Sequence, residues 1–264
     1  MATPATPEVA AGKAARLSVI LITKNEQAHI QACLESVAFA DEIIVLDSGS
    51  TDRTVDIARS LGAKVSVTND WPGFGPQKNR ALDLATGDWV LSIDADERVT
   101  PELAQLILQE LDNPRATAYR IARLSEFAGR WIRHSGWWPD RVLRLFRRGT
   151  ARFKDVKVHE SVQTDQPVAI LDGHFLHYPY ASLEVFIAKI NAYSTEAALH
   201  MQARGKTTSV PGIAGHAIWT FLRHYVVRRG FMDGAQGFIL ACMAASGSLF
   251  RYSKLWYYTR QGRK

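Results

Sequence analysis

Between residues 17 and 111 one pattern recurs: a short apolar run, a polar cluster, then an amphipathic stretch. The runs are Leu17–Ile22, Glu42–Leu46, Lys64–Thr68 and Trp89–Ile93, and the stretches are Gln27–Val37, Val55–Leu61, Gln77–Ala85 and Pro101–Leu111. Runs this rich in Val, Ile and Leu suit strands buried on both faces, and the helices between them are the crossovers that parallel strands need. The pattern dictates βαβ units and an α/β fold, a mostly parallel sheet flanked by helices. Thr100 reads as the cap of the last of these helices, with Pro101 in its first turn. From Ala118 to Phe175 the helical period is absent. Tyr119–Leu124, Val142–Phe146, Val156–Val162 and Val168–Leu171 read there as an antiparallel or mixed extension of the sheet. Helix returns over Ala181–Ala203, and two apolar, aromatic and basic segments follow Pro211. The expected organisation is a mobile tail over 1–15, an α/β domain over 16–180 and a helical basic extension over 181–264. The tail, rich in Ala, Pro and Thr, reads as neither a signal peptide nor an anchor.

In an open parallel sheet, ligands bind beyond the carboxyl ends of the strands. Three polar clusters fall there: Thr23 to Glu26 after the first run, Asp47 to Asp52 after the second, and Asp94 with Asp96 after the fourth. In extended chain, residues i and i+2 point the same way, so Asp94 and Asp96 share one side. Two hard oxygen ligands leaving a buried strand suit Mg²⁺ or Mn²⁺, which also takes substrate phosphates and water. Alternatively, such a pair only caps backbone N–H groups in a turn. No G-x-G-x-x-G follows the first run, and no G-x-x-x-x-G-K-[ST] occurs, against a dinucleotide oxidoreductase and a P-loop NTPase. Phosphates then fall to metal and cationic side chains. Lys78 and Arg80 are expected at a helix start, where the backbone itself favours anions. The two cysteines, Cys33 and Cys242, are too few for a disulfide framework and read as small buried hydrophobes.

Ser18–Glu26, Asp47–Asp52, Gln77–Arg80 and Asp94–Asp96, in this order and spacing, resemble the nucleotide-sugar domain of family 2 inverting glycosyltransferases. Trp137–Phe146 and Val158–Glu160 are similar to a narrower branch, which includes the bacterial β-glucosyltransferases of the lipopolysaccharide inner core. The resemblance spans residues 16 to 260. It implies a GT-A fold, a Rossmann-like α/β domain, and a UDP-sugar donor. Residue by residue it implies that Asp47 and Asp94 contact uracil and ribose, that Thr23, Asn25 and Glu26 line the same pocket, and that Asp96 holds the metal on the diphosphate. Nothing in these motifs separates glucose from galactose or N-acetylglucosamine.

Inversion needs a base for the acceptor hydroxyl. Alternation over Val156–Val162 puts Glu160 on a face with Val156, Val158 and Val162, where desolvation would raise its pKa, and the family branch places an acid here. Glu160 is therefore the expected base; pairing with Arg141 or Arg144 is the alternative. His159 points the other way and is either a metal ligand or a structural histidine. For the acceptor, Trp138 offers a platform for a sugar ring, with Asp140 and Arg141 to bond its hydroxyls or phosphate, while one of Trp137 and Trp138 packs in the core.

Charge separates the two ends of the chain. Residues 201–264 hold ten lysines and arginines against one acid, Asp233, whereas the first 200 hold 22 basic and 25 acidic residues. Gly234–Phe250 lacks charge but, with three glycines, falls short of a membrane span. Arg223, Arg228 and Arg229 among Trp219, Phe221 and Tyr225 suit the boundary of an anionic membrane. Nucleic acid, the competing polyanion, is not expected: no binding motif appears, and the charges sit beside long apolar faces. The expectation is a metal-dependent hexosyltransferase, peripheral on the cytoplasmic face of the inner membrane. It would act on a lipopolysaccharide-core heptose or another glycolipid. The rivals are a sugar-phosphate nucleotidyltransferase, which would need a Gly-rich basic loop after the first strand, and a non-catalytic sugar-nucleotide-binding module.

Overall fold

The computed structural model describes residues 15–155 and 161–261. The expected tail, apart from Ala15, and the segment carrying His159 and Glu160 lie outside the described residues. The chain divides into two compact units. One comprises residues up to Ile121 with Leu143–Gly173, and the other Ala122–Val142 with everything from His174 onward. The helical end expected from residue 181 is thus joined in its unit by Ala122–Val142, a segment that ends 39 residues upstream of it. The reason lies in the long strands, whose two ends belong to different units.

The first unit is built on β1 (Leu17–Thr23), α1 (Ile30–Ser36), β2 (Glu42–Asp47), α2 (Thr54–Ser60), β3 (Lys64–Val67), α3 (Phe74–Asp83), β4 (Trp89–Ser92), β5 (Glu97–Val99) and α4 (Pro101–Asp112). It also holds the start of β6 (Ala118–Phe127); β7 (Arg130–Trp131) belongs to the second unit. The end of β8 (Asp140–Arg147), β9 (Arg152–Phe153), β10 (Val162–Gln163) and the start of β11 (Val168–His177) complete the first unit. Its sheet runs β3-β2-β1-β4-β8-β6-β11-β5. The first four strands are parallel, with Thr23 opposite Asp47 and Leu17 opposite Trp89, and β8 joins β4 antiparallel. This is the parallel sheet with a mixed extension that the hydrophobic pattern dictates. Val19, Ile20, Leu21, Val45, Val90 and Leu91 are all but sealed from solvent, as strands covered on both faces must be. Thr100 caps α4, accepting the Leu103 N–H at 3.1 Å, with Pro101 in the first turn.

One helix starts earlier than its periodicity suggests. α3 begins at Phe74 rather than Gln77, because Gly73, at φ +118°, turns the chain in, and Pro76 falls in the first turn, where an N–H is not needed. Lys78 consequently sits in the second turn, not at the helix N-terminus.

The second unit contains the remaining halves of β6, β8 and β11, then α5 (Leu183–Ala203), α6 (Val210–Leu222), a π turn (Arg223–Val227), a 3₁₀ turn (Gly230–Asp233) and α7 (Gly234–Gln261). Phe127, Ile132, Phe186 and Leu240 form its core, with Trp137 and Tyr180 packed against them. No helix among the described residues is long and apolar enough to cross a membrane.

Candidate functional site

Strand order reverses direction at β1, which has β2 on one side and β4 on the other, and such a switch point opens a crevice at the carboxyl edge. The loops after β1 and β2 are stitched to each other there. Asp47 is fully buried; it accepts Thr23 Oγ1 at 3.0 Å, Ser50 Oγ at 2.5 Å and the Ser50 N–H at 2.7 Å. Asn25, at φ +56°, donates its N–H to Ser50 Oγ and accepts the Thr51 N–H on Oδ1 at 2.8 Å. The Glu26 N–H reaches Thr54 Oγ1 at 2.7 Å. In this structure Asp47, expected at the uracil, has no exposed surface, and its bonds hold the two loops in register. Thr23 and Glu26 do line a cleft of about 370 Å³, together with Ile22, Lys24, Trp71 and Phe74. Asn25 does not. The Trp71 and Phe74 rings meet edge to face at 4.9 Å, an apolar wall for a flat ring.

After β4 the carboxylates lie in a charged cluster. Asp94 accepts Lys78 Nζ on Oδ1 at 2.8 Å and Arg144 Nη2 on Oδ2, and Arg144 also bonds Glu97 Oε1 at 2.9 Å. Glu97 in turn accepts the Asp94 N–H at 2.9 Å. Lys78, Arg144 and Glu97 have side chains at most 6% exposed, while Asp94 keeps 31%. Desolvation pushes the Asp94 pKa up, but Arg144 and Lys78 outweigh it and hold the carboxyl well below the usual range. Burial pulls the other way on Arg144, and Asp94 with Glu97 keeps its guanidinium firmly charged. Its Nε, also buried, has no partner among the described residues. Arg80, expected beside Lys78 at the phosphates, is engaged with Asp70 through two bonds of 2.9 and 2.7 Å.

Asp96 lies one turn residue beyond Asp94 and is half-buried. Among the described residues, no three His, Cys, Asp or Glu side chains gather as an all-protein metal cage. A single half-buried carboxylate beside a cation-held partner fits a different kind of site, in which Mg²⁺ or Mn²⁺ takes one or two protein oxygens and completes its shell from substrate phosphates and water.

Sequence reasoning missed Arg144, Glu97, Trp71 and Phe74. The signals were present: an arginine between Leu143 and Leu145 inside a buried strand, and two aromatics in a Pro/Gly loop at the binding edge.

The acceptor residues expected at Trp138, Asp140 and Arg141 belong to the second unit or its boundary strand. Asp140 pairs with Arg123 at 2.9 and 2.5 Å and Arg141 is exposed. The Trp138 ring is edge-on to His174 at 5.6 Å with the Arg133 guanidinium 5.7 Å over it. Trp137 is the one in the core, against Phe127, Tyr180 and Phe186.

The sequence profile described as glycosyl transferase family 2 matches residues 18–168, which carry this crevice and every cluster after β1, β2 and β4. The chain belongs to that family. It is 35% identical to an uncharacterized glycosyltransferase of Rickettsia typhi over 253 residues, covering 91% of this chain and 86% of that one. It is 31% identical to the lipopolysaccharide core biosynthesis glycosyltransferase LpsC of Rhizobium meliloti over 252 residues, 91% and 92% of the two chains. Among solved structures, Staphylococcus aureus TarS in complex with UDP-GlcNAc superposes with a TM-score of 0.50 at 18% identity, over 94% of this chain and 92% of that one, a likeness of fold.

Proposed function

We propose that this family 2 glycosyltransferase moves a sugar, glucose in our reading, from a UDP donor onto a heptose of the lipopolysaccharide inner core or another lipid-linked glycan. The observation that carries it is the Lys78–Asp94–Arg144–Glu97 cluster beside Asp96, set at the switch-point edge together with an aromatic-walled cleft. The lipopolysaccharide acceptor is supported by the likeness to LpsC over nearly the whole chain.

Uracil would lie against Trp71 and Phe74, with Thr23 and Glu26 at the cleft wall and the Asp47 network keeping both loops in place. Asp94, held ionised, accepts a ribose hydroxyl, while Lys78 and Arg144 supply positive potential where negative charge develops. Asp96 would hold the divalent cation, whose chemistry when bound is to neutralise the diphosphate oxygens. Glu160 takes the proton of the acceptor hydroxyl as its oxygen attacks the anomeric carbon. The bond from that carbon to the diphosphate breaks, UDP leaves with the electron pair, and the new linkage has inverted configuration.

The docking surface for a lipid-linked acceptor is the α6 region. None of the thirteen residues of α6 is buried and Trp219 is 57% exposed; just after the helix, Val227 is 64% exposed and Arg223 and Arg229 are exposed. Asp233, the single acid after residue 200, is sealed inside by bonds from the Arg133 and His134 N–H groups and Ser135 Oγ. The residues after 200 therefore place no exposed acidic side chain on this surface, while Arg223 and Arg229 offer cations to an anionic bilayer.

UDP release from UDP-glucose, with and without Mn²⁺ or Mg²⁺ and with purified inner-core lipopolysaccharide, tests the reading. It is expected to need metal and acceptor and to fall at least about a hundredfold in Asp96→Ala and in Glu160→Gln. Release from another nucleotide sugar alone would change the donor. UDP binding without turnover of any donor would overturn catalysis in favour of a sugar-nucleotide-binding module.

A further inference from the structure

The second unit contains a cleft that the donor chemistry does not use. It measures about 320 Å³, within the roughly 300–1,000 Å³ typical of small-molecule sites. Three separated stretches build it. β6 supplies Ser125, the turn before β8 supplies Gly136, Trp137 and Pro139, β8 itself opens with Asp140, and the end of β11 with the following residues supplies His177, Pro179 and Tyr180.

Its polar groups are arranged as pairs. Ser125 Oγ and His177 Nδ1 lie 2.9 Å apart, and Ser125 is otherwise buried. Arg123 engages Asp140 through Oδ2 from both Nε and Nη2, which fixes the carboxylate while leaving its side chain 45% exposed. The apolar groups are rings: Trp137, Pro139, Pro179 and Tyr180, the last stacked on Phe186 at 4.2 Å. Burial, with Tyr193 beside it, pushes the Tyr180 phenol up to about 12, so it keeps its proton as a donor.

This chemistry selects its ligand by exclusion. A phosphate or carboxylate would meet the Asp140 carboxylate, and the cations at the rim are already engaged, Arg123 on Asp140 and Lys189 on the Pro179 carbonyl at 3.2 Å, over the Tyr180 ring. A purely apolar ligand would strip water from Asp140 and the Ser125–His177 pair without replacing their bonds. A cation would compete with Arg123, already in place. What remains is a neutral ring with several hydroxyls on its rim and C–H groups on its face. The hydroxyls meet a carboxylate, an imidazole and a phenol, while the C–H face meets Trp and Pro rings.

We propose that this cleft is a pyranose-binding subsite, with Asp140 and His177 reading the ring hydroxyls, and that the sugar it holds is a unit of the acceptor glycan. The second part rests on the glycosyltransferase reading; recognition of a sugar ring does not. Trp137 rather than Trp138 then supplies the ring wall.

Saturation-transfer NMR with the methyl pyranosides of glucose, mannose and heptose tests it on the full chain, with Asp140→Asn and His177→Gln as variants checked for unchanged melting. At least one glycoside is expected to bind, and to weaken about tenfold or more in both variants, the loss of a hydrogen bond to a charged or fixed group. UDP binding should not change. Absence of any signal, or equal signals in wild type and both variants, overturns the subsite. With core oligosaccharide as acceptor, its KM should rise by a similar factor at constant donor KM. Turnover with an unchanged acceptor KM would overturn the assignment of this cleft to the acceptor glycan and leave transfer standing. Glycoside binding lost in the variants, in a chain that turns over no donor, would leave the subsite standing and remove transfer.

Discussion

Glu42 shows how a single carboxylate can serve stability at one edge of a sheet whose other edge serves function. It is nearly buried at the amino end of β2 and accepts Ser18 Oγ at 2.5 Å, the Thr86 N–H at 2.6 Å, Thr86 Oγ1 at 2.8 Å and Lys64 Nζ at 2.8 Å. Desolvation opposes its charge, yet Lys64, Ser18 and Thr86 together lower its pKa from 4.5 to about 2. A depressed carboxylate contributes stability that is complete above its unfolded pKa and disappears as pH falls through the folded value. The contribution is roughly 2–3 kcal/mol at neutral pH, falling away between about pH 5 and pH 2. Glu42→Gln should therefore melt below wild type at pH 7, with the gap closing toward pH 2. Melting curves that stay parallel over that range would show that Glu42 carries no such linkage. Arg144 is the corresponding residue at the functional edge. Removing it would leave Glu97, which is fully buried, and Asp94 without their shared cation.

At the scale of elements, what could be read in the sequence was whatever repeats. β1, β2 and β4 follow from Val/Ile/Leu runs, and Thr100–Pro101 fixes the start of α4, because period and caps are local. The start of α3 is not local in that sense. Gly73 and Pro76 look like loop until it is recognised that a first helical turn tolerates both. The site shows the same division. Asp94 and Asp96 stand out by spacing, but that Asp47 would be spent on Thr23 and Ser50 depends on how two loops, over twenty residues apart, meet. Likewise Arg144 reaches Asp94 across a pairing of β4 with β8 that no local signal encodes. α6 is the element whose pattern is most openly at odds with burial. α6 packs on α7, with His216 stacked on Tyr252 and Phe221 edge-on to Phe238, yet Ile218, Trp219 and Leu222 stay exposed at the spacing of one helical face, and Val226 is exposed in the π turn that follows. Ile218→Glu with Trp219→Glu should abolish co-sedimentation with anionic vesicles while leaving UDP binding intact. Retained sedimentation would move the membrane contact elsewhere.

For the whole molecule the telling quantity is the distribution of charge along the chain, not its sum of +6. The last 64 residues are cationic apart from Asp233, which is buried, and the rest of the chain is slightly acidic. A lysine or arginine near an anionic bilayer contributes about 1 kcal/mol, and that attraction shortens with the Debye length, from about 8 Å at 0.15 M salt to about 3 Å at 1 M. Apolar insertion of Trp219 and its neighbours is not screened. The two terms therefore separate by experiment. Partitioning onto vesicles with a phosphatidylglycerol component should drop about tenfold or more between 0.05 and 0.5 M salt and then level off at a floor set by the apolar face. On purely zwitterionic vesicles only the floor should be seen, with little response to salt. Nucleic acid offers the same charge without an apolar phase, so binding to single-stranded RNA should vanish at high salt rather than level off. Equal affinity for RNA and anionic vesicles at every salt concentration would show that charge alone attracts the partner, and the exposed face of α6 would then need another occupant.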